Sequence, residues 1–278
     1  MNVTEYLQKW SVSYRDDMLG NIMPFWLKHG LDLRNGGVYT CLDRDGSLID
    51  TTKSVWFQGR FAFTCSYAYN HIEQNPEWLA AAKSTIDFIE QHCFDSDGRM
   101  FFEVTASGEP LRKRRYVFSE TFAAIAMAEY AIASGEREYA EKALKLFKDI
   151  QRFLNTPGVL EPKYWNTVQS KGHSIVMILI NTASRIRAAI ADPALDKQID
   201  DSIALLQKDF MHPEFNALLE TVGSNGEFID TINGRIINPG HCIETSWFIL
   251  EEAKYRNWDK QLTDMALTIL DWSWEWGW

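Results

Sequence analysis

Two kinds of helix alternate along these 278 residues, and that alternation restricts the available folds more than any motif does. Residues 55–71, 118–133, 174–190 and 242–253 are apolar on nearly every side, the pattern of a helix enclosed all round. Residues 5–28, 76–92, 137–154, 193–210 and 258–276 instead carry charges along one side, such as Lys142, Lys145, Lys148 and Asp149, and are expected to face solvent. The enclosed helices recur at intervals of roughly 60 residues, the periodicity of a helical-hairpin array. An inner ring of buried helices wrapped by an outer ring, an α/α toroid, satisfies this pattern. Short turn-rich stretches at 36–46, 97–108 and 218–228 read as hairpins or extended loops between helices. No linker or low-complexity segment interrupts the chain, so a single domain over residues 1–278 is expected.

Composition narrows the function. A formal net charge of −10 argues against nucleic acid and anionic membrane as partners and leaves a small polar substrate or a protein. No basic leader precedes an apolar run and no apolar segment reaches membrane-spanning length, so a cytoplasmic setting is expected. Cys41, Cys65, Cys93 and Cys242 have no CxxC pairing and are expected as free thiols. There is no zinc-finger spacing, no dinucleotide fingerprint and no phosphate loop.

Parallel inner helices would bring their N-terminal ends to one mouth, so the polar residues near those ends are the candidate site. They are Arg60 in Trp56-Phe-Gln-Gly-Arg60, Glu120 in Phe118-Ser-Glu120, His173, and His241 with Glu244 in Asn238-Pro-Gly-His-Cys-Ile-Glu244. His241 and Glu244 are three residues apart and share a helix face. The helix dipole favours a neutral imidazole while Glu244 favours an imidazolium and fixes its tautomer, a balance suited to a base working near neutrality. Pro239 presets the first helical φ, and Gly240 leaves room for close approach to the backbone. Each residue also has a plainer reading: Arg60 paired with Glu120, Glu120 as a helix N-terminal charge, His173 as a capping or solvated side chain, Trp56 as core. Cys242, next to His241, points about 100° away on the helix and makes a poor nucleophile partner. The run Arg112-Lys-Arg-Arg115 reads as a solvated stretch or a contact for an anionic effector.

Three motifs, Val55-Trp-Phe-Gln-Gly-Arg60, Arg115-Tyr-Val-Phe-Ser-Glu120 with Met127-Ala-Glu129, and Asn238-Pro-Gly-His-Cys-Ile-Glu244 with Trp247-Phe248, resemble those of the N-acylglucosamine 2-epimerases, which include the renin-binding proteins. The likeness runs from about Gly36 to the closing Trp276-Gly-Trp278. It implies an all-α (α/α)6 barrel that interconverts N-acetylglucosamine and N-acetylmannosamine. In such a reaction the open-chain sugar loses the proton at C2, an enediolate is stabilised, and a proton returns from the opposite face.

The resemblance makes His241 one of two acid/base histidines, Glu244 its orienting carboxylate and Arg60 the stabiliser of charge on the sugar oxygens. Trp56, Glu120, His173 and Asn238 become substrate-binding residues. It implies no required metal or cofactor, a nucleotide such as ATP as an allosteric activator, and an amino sugar as partner. Nine helices are expected, five outer and four inner, where the family has twelve, and the second catalytic histidine falls in the missing part. The terminus Asp271-Trp-Ser-Trp-Glu-Trp-Gly-Trp278 would leave an unclosed toroid with apolar surface open, as expected of a truncated chain or of a short form closed by homodimerisation. Alternatives within the family are an aldose–ketose isomerase, a cellobiose 2-epimerase and a non-catalytic protein-binding member. A glycoside hydrolase using Glu120 and Glu244 is the reading from another enzyme class, and it leaves His241 without a role.

Overall fold

The computed structural model describes residues 2–114, 116–160 and 168–278. The chain falls into two compact units, Met1–Ala143 and Leu144–Trp278. In chain order the elements are α1 (Val3–Asp17), α2 (Met23–His29), β1 (Cys41–Leu42), β2 (Leu48–Asp50), β3 (Lys53–Ser54), α3 (Val55–His71), α4 (Pro76–His92), β4 (Phe101–Val104), β5 (Pro110–Lys113), α5 (Phe118–Ser134) and α6 (Arg137–Asn155). They continue with β6 (Ser170–Gly172), α7 (His173–Ala189), α8 (Pro193–Leu205), β7 (Met211–His212), β8 (Ala217–Leu218), β9 (Thr221–Gly223), α9 (Pro239–Tyr255) and α10 (Lys260–Gly277). The four helices expected to be enclosed are α3, α5, α7 and α9. No described helix is long and apolar enough to cross a membrane.

The first expected outer helix is not continuous. Residues Met18–Ile22 form a π-helical turn between α1 and α2, in which Met23 N–H reaches back to the Met18 carbonyl. Pro24 explains the break, because it has no N–H to give to the Gly20 carbonyl and its ring would press on that group. The outer segment expected over 193–210 likewise ends in a π-helical stretch, Leu206–Phe210, which turns Asp209 and Phe210 into the interior.

In the first unit α5 is the most enclosed element, with every residue from Ser119 to Ala131 buried. Its approach to α3 depends on Gly59: a Cβ there would lie 2.6 Å from the backbone carbon of Phe122 and 2.7 Å from its carbonyl oxygen. Alanine is the better helix former, yet Gly59→Ala is expected to lower stability by about 1–3 kcal/mol, because backbone cannot yield as a side chain would. Urea unfolding of the variant checks this; a gain in stability would mean the two helices separate freely.

Lys53 on β3 is completely buried, and its Nζ donates to Asp32 Oδ2 (2.8 Å), the Gly36 carbonyl (2.7 Å) and the Ala106 carbonyl (2.8 Å). It lies 4.1 Å from the centre of the Phe88 ring. One ammonium thus joins the loop before β1 to the β4–β5 hairpin. In the basic run, Lys113 pairs with Asp95 and Asp97 (2.7 Å each) and Arg114 stacks on Phe102. Arg115 lies outside the described residues.

In the second unit α7 packs on α8 and α9, and α9 on α10. The buried Glu252 of α9 holds Arg187 of α7 (2.6 Å) and Arg256 (2.6 Å), while Ser246 Oγ donates to the Ala266 carbonyl of α10 (2.7 Å). Trp274, Trp276 and Trp278 at the end of α10 are exposed. Two of the short sheets lie at the starts of enclosed helices. β3 pairs with β4 and runs into α3, the β4–β5 hairpin precedes α5, and β6 pairs with β9 and runs into α7.

Candidate active site

Asn238 caps α9: its side-chain oxygen accepts the His241 backbone N–H (3.3 Å), and Pro239 takes the first helical position, where its missing N–H costs nothing. His241 is thereby fixed in the first turn, half-buried, with one edge open. Gly240 is exposed, and a Cβ there would meet nothing nearer than the Asn238 side-chain oxygen at 3.4 Å, so the space beside this glycine is open.

The carboxylate that orients His241 is Glu220, not Glu244. His241 Nδ1 lies 3.0 Å from Glu220 Oε2 and 3.1 Å from Oε1. Glu244, one turn along α9, reaches the imidazole only as a weaker field. The α-helical i,i+3 spacing places Glu244 on the same face, but the His241 ring nitrogen bonds to Glu220 instead. Glu220 is aimed by the backbone around it. Its N–H donates to the Ile236 carbonyl (3.2 Å) and its carbonyl accepts the His173 N–H (3.0 Å), immediately before the β6–β9 ladder starts at Gly172 and Thr221.

His173 opens α7 and is fully buried, so the solvated reading does not hold. Its Nε2 lies 2.8 Å from Thr245 Oγ1, its Nδ1 lies 3.6 Å from Glu220 Oε2, and its ring centre is 6.3 Å from that of His241. Phe210, brought inward by the π-helical stretch, packs 5.9 Å from His173 on another side.

The electrostatics follow from this arrangement. Burial pushes the Glu220 carboxyl up, but the two imidazoles beside it, His173 at 3.6 Å and the hydrogen-bonded His241 at 3.0 Å, outweigh it and hold the group down at about 2. In turn the Glu220 hydrogen bond, against the opposing effect of burial, raises His241 above its ordinary value, with a smaller contribution from Glu244. An ionised Glu220 accepts a hydrogen bond from Nδ1–H, which keeps that proton on Nδ1 and leaves the Nε2 lone pair of neutral His241 as a proton acceptor. Cys242 does not compete as a nucleophile: burial and the Glu220 charge push its thiol up to about 12, and its Sγ points to the Leu218 carbonyl.

The remaining candidates, Trp56, Arg60 and Glu120, belong to the first unit. Arg60 does not pair with Glu120. Its exposed guanidinium lies over the Phe122 ring at 4.4 Å and borders a cavity of about 380 Å³ with Trp26, Tyr39 and Phe57. Glu120 is completely buried, accepting from Arg99 Nε (2.6 Å) and from the Met100 N–H (3.0 Å). The expected substrate carboxylate thus has a structural partner, and its negative charge holds the turn before β4 against α5. Trp56 is half-buried among Phe102, Tyr116, Phe118 and Phe122, with ring centres 5.3–5.9 Å away, and its Nε1 has no hydrogen-bond partner among the described residues.

Sequence reasoning missed Glu220, Thr245 and Arg99. Glu220 sits in the stretch read as turn-rich loop, 21 residues from His241, and no spacing rule links the two.

A family model described as N-acylglucosamine 2-epimerase (GlcNAc 2-epimerase) matches residues 37–278. The N-acylglucosamine 2-epimerase of Bos taurus is 30% identical over 245 residues, covering 86% of this chain and 58% of its own length. The cellobiose 2-epimerase of Dictyoglomus turgidum is 24% identical over 271 residues, covering 88% of this chain and 66% of its own length. The chain spans about three-fifths of the length of the curated N-acylglucosamine 2-epimerases it matches. Among solved structures, the cellobiose 2-epimerase from Bacillus thermoamylovorans B4167 superposes with a TM-score of 0.83 at 21% identity, over 94% of this chain and 71% of that one. The likeness shows the fold class: all-α helical hairpins of the α/α-barrel type, with only minor sheets. With the family model matching nearly nine-tenths of the residues, from Gly37 through the capped His241 helix to the end, the chain belongs to the N-acylglucosamine 2-epimerase family.

Proposed function

We propose that this chain carries the C2 proton-transfer site of a cytoplasmic sugar 2-epimerase that interconverts N-acetyl-D-glucosamine and N-acetyl-D-mannosamine. The observation that supports it most is the 3.0 Å contact of His241 Nδ1 with the Glu220 carboxylate, which favours the tautomer whose Nε2 is basic. An imidazole so held can take the proton α to the aldehyde of the open-chain sugar, and the electron pair left behind spreads onto O1 as an enediolate. On the family resemblance, Arg60 is proposed to stabilise that charge and Trp56 to offer a surface for the sugar ring. Asn238 holds the base in place through the helix cap. Glu244 adds negative charge near His241, and His173 supports Glu220 from behind rather than touching the sugar. Glu120, enclosed with Arg99, is given no part in binding. No metal or cofactor is consumed, and a nucleotide such as ATP is proposed as an activator only.

The substrate choice is supported by the greater similarity to N-acylglucosamine 2-epimerases, 27–30% identical, than to cellobiose 2-epimerases, 21–26% identical. The test is incubation with N-acetylmannosamine in deuterium oxide, followed by proton NMR. Deuterium at C2 and appearance of N-acetylglucosamine are expected. Neither appearing would sink the proposal, and a ketose product would reassign the chain to aldose–ketose isomerisation.

A further inference from the structure

We propose that His173, Glu220 and His241 form a binding site for a zinc-like divalent transition ion, and that filling it switches the His241 base off. The three candidate ligand atoms, one from each residue, all lie within 4.8 Å of one another. Glu220 Oε2 is central, 3.0 Å from His241 Nδ1 and 3.6 Å from His173 Nδ1. Tetrahedral zinc, with bonds of about 2.0–2.2 Å, sets its ligand atoms roughly 3.3–3.5 Å apart, so small side-chain movements suffice. Two imidazoles, a carboxylate and a fourth position for water make an ordinary donor set for such an ion.

The second observation is the tautomer of His173. Thr245 Oγ1 donates its only proton to the His241 carbonyl (2.8 Å), so towards His173 Nε2 (2.8 Å) it acts as the acceptor. His173 Nε2 therefore carries hydrogen, and Nδ1 of the neutral ring carries a lone pair. That Nδ1 is buried, has no hydrogen-bond partner among the described residues and faces the Glu220 carboxylate at 3.6 Å. A lone pair opposed to a carboxylate inside a protein is unfavourable until a cation lies between them. A histidine that gives its far N–H to an oxygen and keeps the near nitrogen bare is arranged as metal-bound histidines usually are.

The switch follows from proton balance at His241. A metal on Nδ1 takes that lone pair, so the ring proton must move, through solvent, to Nε2. The imidazole stays neutral and no electron is transferred, but the nitrogen facing outward is now a donor and cannot accept the C2 proton. Only this inhibitory half rests on the proposed reading of His241 as base; the binding half stands on geometry alone.

The test begins with metal-free protein titrated with Co²⁺ and followed by visible absorption, and with Zn²⁺ in competition with a chromophoric chelator. One tight equivalent with a nitrogen/oxygen-type cobalt spectrum is expected. His173→Ala and Glu220→Gln should each weaken it at least about tenfold. Cys41→Ser, which removes the exposed thiol, should leave it unchanged. Asn238→Asp should tighten binding, because its cap keeps an oxygen acceptor while the atom now 3.0 Å from His241 Nδ1 becomes a further oxygen ligand. Misfolding cannot produce that gain. Loss of all metal to the chelator, a thiolate charge-transfer band, or equal binding by His173→Ala would overturn the site. Stoichiometric binding with undiminished C2 exchange would overturn the switch. Absence of C2 exchange in metal-free protein counts against the epimerase reading alone, and the cobalt spectrum still decides the site.

Discussion

Replacing His241 with alanine is expected to lower the rate of C2 deuterium exchange by about 10²–10⁴-fold, the range that a positioned general base contributes. The side chain is only half-buried and its backbone N–H remains capped by Asn238, so the fold should survive and the loss should appear in kcat more than in KM. The informative comparison is between the two glutamates. Glu220→Gln removes the charge that fixes the Nδ1–H tautomer at 3.0 Å, whereas Glu244→Gln removes only a weaker field. The first should cost at least ten times more rate than the second. Single-turnover exchange measured by NMR on the three variants, with circular dichroism to check folding, decides it. Equal losses in the two glutamine variants would return the orienting role to Glu244.

The second large effect is on stability. Lys53→Met should cost about 3–5 kcal/mol, since it leaves the Asp32 carboxylate buried without its cation while two backbone carbonyls lose a donor. Methionine keeps most of the volume, which separates the loss of charge from the opening of a cavity. The pH dependence gives a further check. In the parent, burial pushes the Asp32 carboxyl up, but Lys53, the Asn35 side chain and the backbone N–H groups of Arg34 and Asn35 outweigh it and hold it well below the ordinary carboxylate range. That depressed group contributes stability above pH of about 4, lost progressively as pH falls towards its folded value. In the variant the uncompensated carboxylate prefers its proton, so acid relieves it. The stability difference between parent and variant should therefore shrink as pH falls, first above about 4 as the variant's carboxylate takes its proton and then below about 4 as the parent loses its ion pair. A constant difference across that range would show that packing, not charge, dominates at Lys53.

The fold was largely legible because each enclosed helix is long enough for its pattern to rise above chance. α3 and α4 begin and end where the periodicity placed them, and α5, α7 and α9 differ at their ends only by a cap or a fraction of a turn to a turn. The exceptions are local: the π-helical turns at Met18–Ile22 and Leu206–Phe210 alter hydrogen bonding without altering the apolar pattern that reveals a helix. The site was legible only in part. His241 and its cap Asn238 are neighbours in sequence, and the helix start fixes both. Glu220, Arg99 and Thr245 are not announced by any motif, and their partners lie 21, 21 and 72 residues away.

By itself, then, the sequence determined the helical-hairpin class, the family and the placing of an imidazole at a capped helix start, because propensity, period and capping act within a few residues. The tertiary structure decided which carboxylate serves that imidazole and which is enclosed. Glu220 was selected over Glu244 by the β6–β9 ladder, and Glu120 was taken up by Arg99 from the turn before β4. A hydrogen bond needs its two atoms at about 3 Å with the right direction. Between segments distant in sequence, only the packing of the backbone sets that geometry.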